Sequence, residues 1–163
     1  MTVGNKSIAG AMHRSINDDN TYFFLNGLAS ILVSGEDTNG EFCIIHFTGK
    51  KDAGPPLHIH EAEDETFLVV EGELEIQIGD EIIHAKAGDY VFAPRGIPHA
   101  PKTISETSQI VVTNYPAGFD RFVKEMSVPY HKGMEKPEGP PSAELIKKLF
   151  EVSEKYKITY PSL

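Results

Sequence analysis

Between Tyr22 and Tyr115 the apolar residues come in runs too short for an amphipathic helix, and most of these runs are closed by turn-forming residues. Tyr22–Leu25, Ile31–Val33, Phe42–Thr48, Thr66–Val70, Leu74–Ile78, Glu81–Ala85, Tyr90–Ala93 and Gln109–Tyr115 read as strands. Asn39-Gly40 and Gly79-Asp80 supply the positive backbone angles of tight turns, so antiparallel neighbours are expected. Leu74, Ile76 and Ile78 alternate with Glu73, Glu75 and Gln77, the period of a strand with one buried and one wet face. The 14 glycines and 11 prolines exceed what the elements of a helix bundle tolerate, which leaves an all-β core as the expected class.

A chain of 163 residues with 40% hydrophobic content can bury one core, so a single domain is expected. Residues 1–20 read as a polar N-terminal arm, laid over the core or exchanged with a second subunit; 21–115 as the β-barrel core; and 116–163 as a helical tail. In the tail, Phe119, Phe122, Val123 and Met126 fall at helical spacing, with Asp120 early, where a carboxylate complements the helix dipole. Pro137–Pro141 reads as a rigid linker, and Ser142 as the cap of a second helix whose stripe is Leu145, Leu149, Val152 and Tyr156. Exposed sheet edges together with the arm predict a homodimer.

The formal net charge of -9, densest at Glu61–Glu65, argues against a nucleic-acid partner, since phosphate binding needs clustered Lys and Arg. Nothing approaches the roughly 18 apolar residues of a membrane span, and Met1–Gly10 has no signal-peptide core, so no membrane partner and a cytoplasmic location are expected. Cys43 is the only cysteine; lying in an apolar run, it reads as a buried, inert thiol.

The chemistry is concentrated around His58-Ile59-His60, because residues two apart on a strand share a face and both imidazoles can reach one ion. Glu65 stands at an odd offset from His60, so a turn through Glu61–Asp64 is needed to bring it back toward them. A second bend at Pro94-Arg95-Gly96 can deliver His99 to the same pole. Three imidazoles and a carboxylate suit one divalent transition metal, Fe, Mn, Ni, Co, Cu or Zn, and imidazole content argues against Mg or Ca. Glu61, Glu63 and Asp64 read as solvated loop carboxylates, and His46 and His84 as structural or surface residues.

These residues resemble the two sequence motifs of the cupin superfamily, the first as His58, His60, Glu65 and Gly72, the second as Gly88, Pro94, Gly96 and His99. Two positions depart from the pattern: Gly54 lies closer to the histidines, and Thr103 stands in place of Asn. The resemblance implies a single double-stranded β-helix (cupin/jelly-roll) barrel with short C-terminal helices and a metal held by His58, His60, Glu65 and His99. The segment Glu65–Glu73 and the tail after Gly118 look most like small bacterial cupins described as quercetin dioxygenase-like. That likeness implies a metal-dependent dioxygenase acting on a small enolic or aromatic substrate, with Glu65 as ligand and proton acceptor. Phe67, Val69 and Phe92 are the candidates to line its cavity. The alternatives are a metal-dependent isomerase or lyase on a sugar or keto acid, and a non-catalytic cupin that binds a small molecule.

Overall fold

The computed structural model describes residues 10–135 and 142–161. The first nine residues of the expected arm and the Pro137–Pro141 linker lie outside the described residues. Twelve strands and two α-helices are present among those described: β1 (Thr21–Phe24), β2 (Gly27–Val33), β3 (Cys43–Lys50), β4 (Ile59–His60), β5 (Asp64–Glu71), β6 (Glu73–Ile78), β7 (Glu81–Lys86), β8 (Tyr90–Ala93), β9 (His99–Thr103), β10 (Thr107–Tyr115), α1 (Phe119–Met126), β11 (Val128–Pro129), α2 (Ala143–Lys155) and β12 (Ile158–Thr159). The strands form an antiparallel seven-stranded sheet ordered β11-β1-β2-β3-β10-β5-β8, a three-stranded sheet β7-β6-β9 and the pair β12-β4. A bridge between His58 and His99 joins the segment leading into β4 to β9, extending the smaller sheet.

The two sheets face each other and share the core of Phe67, Val69, Leu74, Ile76, Ala85, Val91, Ala93, Ile110 and Val112, drawn from both. This is the all-β jelly-roll architecture that the alternating runs predict. The β6–β7 hairpin closes through Gly79-Asp80 as expected, with Ile78 opposite Glu81 and Gly79 at φ +57°. At Gly72, φ is +81° and a Cβ would strike the carbonyl of Thr107, so only glycine turns the chain from β5 into β6 there.

A second core lies where α1 and α2 pack on β1–β3, built from Phe24, Ile31, Ile45, Phe119, Phe122, Val123, Met126, Leu149, Val152 and Ile158 among others, with Phe47 touching both cores. Ser142 caps α2 by accepting from Leu145 N at 3.1 Å, and the expected stripe docks through Leu149 and Val152. Of the arm, residues 10–19 are exposed, and it is tied to the body where Arg14 meets Leu32 O (2.8 Å) and Asp37 Oδ2 (2.9 Å). No helix among the described residues is long and apolar enough to cross a membrane.

The short strand β4 falls within the His58–His60 stretch read as strand, and β9, β11 and β12 are additions to the sequence reading. Phe92 is a correction: it alternates with the buried Val91 and Ala93 and points out of the sandwich, 55% exposed, whereas Phe67 and Val69 point inward as expected.

Candidate metal centre

Backbone pairing places the four side chains. His58 and His99 exchange both hydrogen bonds across their bridge, His58 N donating to His99 O at 3.1 Å and His99 N to His58 O at 2.8 Å. His60 follows on β4, and its carbonyl accepts from Gly96 N (2.9 Å), so the Pro94–Gly96 bend is anchored to the strand that carries it. Glu61–Glu63 form the turn that the odd offset of Glu65 requires, and Glu65, second in β5, then faces the histidines, in register with Ala93 and Asn114. Asp64, pointing the other way, holds Arg95 in a two-pronged ion pair, Nε to Oδ1 at 3.1 Å and Nη2 to Oδ2 at 2.9 Å, which clamps the bend delivering His99.

One ligand atom from each of His58, His60, Glu65 and His99 lies within 4.8 Å of the others, and all four residues are buried. Every imidazole has its outer nitrogen occupied: His58 Nδ1 lies 2.8 Å from Pro56 O, His99 Nδ1 3.0 Å from Ile97 O, and His60 Nδ1 3.0 Å from Glu63 Oε2. These partners only accept, so each Nδ1 donates to its partner, which leaves Nε2 as the nitrogen that can meet an ion. Inside the cluster His99 Nε2 is 2.9 Å and His60 Nε2 3.9 Å from the two oxygens of Glu65, and Asn114 Nδ2 donates to Glu65 Oε1 at 3.0 Å.

The charges match this geometry. Burial, reinforced by the neighbouring His60 and His99, holds His58 down to about 3, so its ring is neutral at physiological pH. Burial alone would raise Glu65, but the imidazoles of His60, His99 and His58 outweigh it and hold the carboxyl at about 2, ionised. Burial works against protonating His60, and the carboxylates of Glu65 and Glu63 overcome it, raising its affinity for a proton. A site that draws a proton onto a buried ring draws a metal cation by the same field. The fit is clearest at His60 Nε2, which is buried and has no hydrogen-bond partner although its ring is fixed from the other side. The donor set therefore suits one divalent transition metal.

Glu63 overturns its sequence reading as a solvated carboxylate: it is 7% exposed and orients His60. Asn114 also went unread, since it reaches Glu65 only through the β5–β10 register. Glu61 is exposed and accepts from Thr159 Oγ1, His84 is exposed, and His46 is structural, bonded to Gln109 at 3.1 Å. Of the departures from the motif, Gly54 packs so tightly on the carbonyl of Pro101 that no side chain fits, and Thr103 bonds Ser108 Oγ at 2.7 Å.

A cavity of about 90 Å³ runs into the barrel beside this cluster. Phe24, Phe47, Phe67, Leu74, Ile110 and Val112 make much of its wall, and His58 and Glu65 are its titratable side chains.

Such a sandwich, with three imidazoles and a carboxylate gathered at one end, is the architecture of a cupin. Residues 45–114 match the family model described as Cupin domain, so this part of the chain is a cupin domain. It is similar to quercetin 2,3-dioxygenase of Bacillus subtilis (strain 168), 32% identical over 90 residues, which make up 55% of this chain and 27% of that protein's length. In structure it is similar to KdgF from Halomonas sp. (TM-score 0.59, 18% identity, 68% of this chain and 99% of that one). It is also similar to an RmlC-like cupin from Shewanella frigidimarina NCIMB 400 (TM-score 0.58, 22% identity, 70% and 99%). At these identities the structural likeness concerns the fold alone.

Proposed function

We propose that this cupin is a metal-dependent dioxygenase acting on a small enolic or aromatic substrate. The observation that carries the reading is the placement of His58 and Glu65 in the wall of an otherwise largely apolar cavity, so that a bound molecule meets the ligand cluster with its reactive end. The partial likeness to a quercetin 2,3-dioxygenase supports the same class, over the part of that protein this chain spans.

Held by His58, His60, Glu65 and His99, a divalent transition metal supplies Lewis acidity toward an anionic oxygen and a place to activate dioxygen. The protein's own groups do the remainder. The phenyl rings of Phe24, Phe47 and Phe67 bind a flat apolar body and keep water from it. Glu65 is ionised, and Asn114 fixes its Oε1 by a hydrogen bond, so the carboxylate is oriented to accept the proton of an enol or catechol hydroxyl at the cavity's inner end.

Two measurements test this together. Elemental analysis should find one transition metal per chain, lost in His60→Ala with the circular dichroism spectrum retained. The metal-loaded protein should take up dioxygen in an oxygen electrode with some member of a panel of flavonols, catechols and β-diketones. Turnover of a sugar or keto acid without oxygen uptake would replace the dioxygenase by an isomerase or lyase.

A further inference from the structure

Between the helical tail and the barrel lies a second chamber, of about 30 Å³, walled in part by Phe119 and Phe122 of α1, Leu149 of α2 and Ile158 of β12. None of these four residues belongs to the segment that matches the Cupin domain model, so the chamber is built from what this chain adds to that domain. The rest of the wall is largely shared: Phe24, Leu25, Pro55 and His58 line both this chamber and the main cavity. His58, one of the four candidate ligands, is thus reached from the barrel interior past Phe67 and Val112, and from the helical layer past Phe119 and Leu149. A second candidate ligand is close by. The ring of Phe119 meets the His60 imidazole edge-on at 5.1 Å between centroids, and Ile158 is the strand partner of His60.

Size and chemistry limit what can occupy the chamber. About 30 Å³ is two to three times the roughly 10–15 Å³ that admits one water, enough for a diatomic molecule and too small for an aromatic ring. Water is poorly served there, because a buried water typically needs about two to four polar partners. The two polar side chains in the wall are already engaged, His58 Nδ1 with Pro56 O at 2.8 Å and Tyr160 Oη with Ser153 Oγ at 2.8 Å. Every other lining side chain is phenyl, aliphatic or prolyl. Of the lining residues only Pro56 is exposed, so most of the wall is withdrawn from solvent. Such a space favours an apolar gas over water, as dry apolar cavities that take up xenon do.

We infer that this chamber is a binding site for dioxygen, which holds the gas beside His58 while the organic substrate occupies the main cavity. The inference rests on the dioxygenase reading and deepens it. An aromatic body that fills the main cavity of about 90 Å³ lies against His58 and Glu65 and closes that approach to a second reactant. The helical layer supplies another approach, whose size excludes the organic substrate, so the two reactants do not compete for one space.

Methyl-resolved NMR of the zinc-loaded full chain under dissolved dioxygen tests binding without turnover, because the protein is diamagnetic and the paramagnetic gas speeds relaxation of the nuclei it touches. The methyl groups of Leu149 and Ile158 should gain more relaxation than those of Ile45 and Ile76, which are as deeply buried but line neither cavity. Leu149→Phe, which fills the chamber, should abolish the gain at Ile158 and leave the circular dichroism spectrum and the metal content unchanged. In a metal form that takes up oxygen, the same variant should raise the KM for dioxygen about five-fold and leave the KM for the organic substrate as it was. Equal relaxation at all four wild-type residues overturns the inference whatever the oxygen electrode reads, and needs no variant. So does a Leu149→Phe protein that loses the gain but keeps the wild-type KM for dioxygen. Absence of oxygen uptake in every metal form removes the dioxygenase reading, and with it the catalytic use of the chamber, while the relaxation contrast still decides whether the chamber takes the gas.

Discussion

Around Phe67, Leu74 and Ile76 the barrel interior is apolar, with each side chain at most 2% exposed, whereas a neighbouring layer around His60 and Glu65 buries ionisable groups just as deeply, at 1% and 3%. The apolar layer is redundant, since residues from several strands of both sheets share it and no single contact defines it. The polar layer is not. Each imidazole has one outer partner, Glu65 has Asn114 and His99, and one inner atom of each residue lies within 4.8 Å of the others. The apolar layer therefore holds the sandwich together, and the polar layer is shaped for an ion, so substitutions in the two should separate stability from metal affinity.

The largest effect on stability is expected from Phe67→Ala. Removing a fully buried phenyl ring leaves a cavity and costs about 3–5 kcal/mol, read as a lower urea midpoint. Metal stoichiometry should hold, because the ring touches His99 only at a centroid distance of 6.1 Å. A variant that loses its metal together with its stability would show that the two layers are one unit. Glu63→Gln should do the opposite. Taking the charge from the partner of His60 Nδ1 should weaken metal binding by roughly 10- to 100-fold in a competition titration, with little change in the stability of the metal-free protein. Unaltered affinity in the E63Q protein would reduce Glu63 to a packing residue.

The same contrast explains what could be read from the sequence. The clustering of the four candidate ligands was legible because strand alternation, one odd offset and turn residues at fixed places leave His58, His60, Glu65 and His99 few other arrangements. The alternating run Leu74–Ile78 and the helical spacing at Phe119–Met126 were legible for the same reason, that one local period decides which side is buried. Glu63 was hidden among four acidic residues within Glu61–Glu65, where composition gives no sign of which one folds inward. Asn114 is 49 residues from Glu65 and meets it only through strand pairing. Strand β9, His99–Thr103, contains Pro101 and a Lys within five residues, and its pairing to β6 supplies what its own pattern lacks.

Cys43 carries the comparison into the second core. It is an ionisable group buried as deeply as the candidate ligands, at 0% exposed, but it sits among apolar side chains of β1–β3 and α1. Burial pushes its thiol up to about 12, and the carboxylate of Asp120 adds to the shift. Because the folded value lies above the value of 9.0 for a free thiol, the neutral thiol's contribution to stability is complete below about pH 9 and is lost as the pH rises toward 12. At pH 8 the native protein should therefore react with a thiol reagent at least 100-fold more slowly than the chain in denaturant, at a rate set by opening of the helical layer rather than by thiolate chemistry. Phe67→Ala, by lowering global stability, should speed the reaction where it proceeds through global unfolding, while Glu63→Gln should not. A Cys43 that reacts at the free-thiol rate in the native protein would place the second core among the mobile parts of the molecule and leave the barrel interior as its one rigid body.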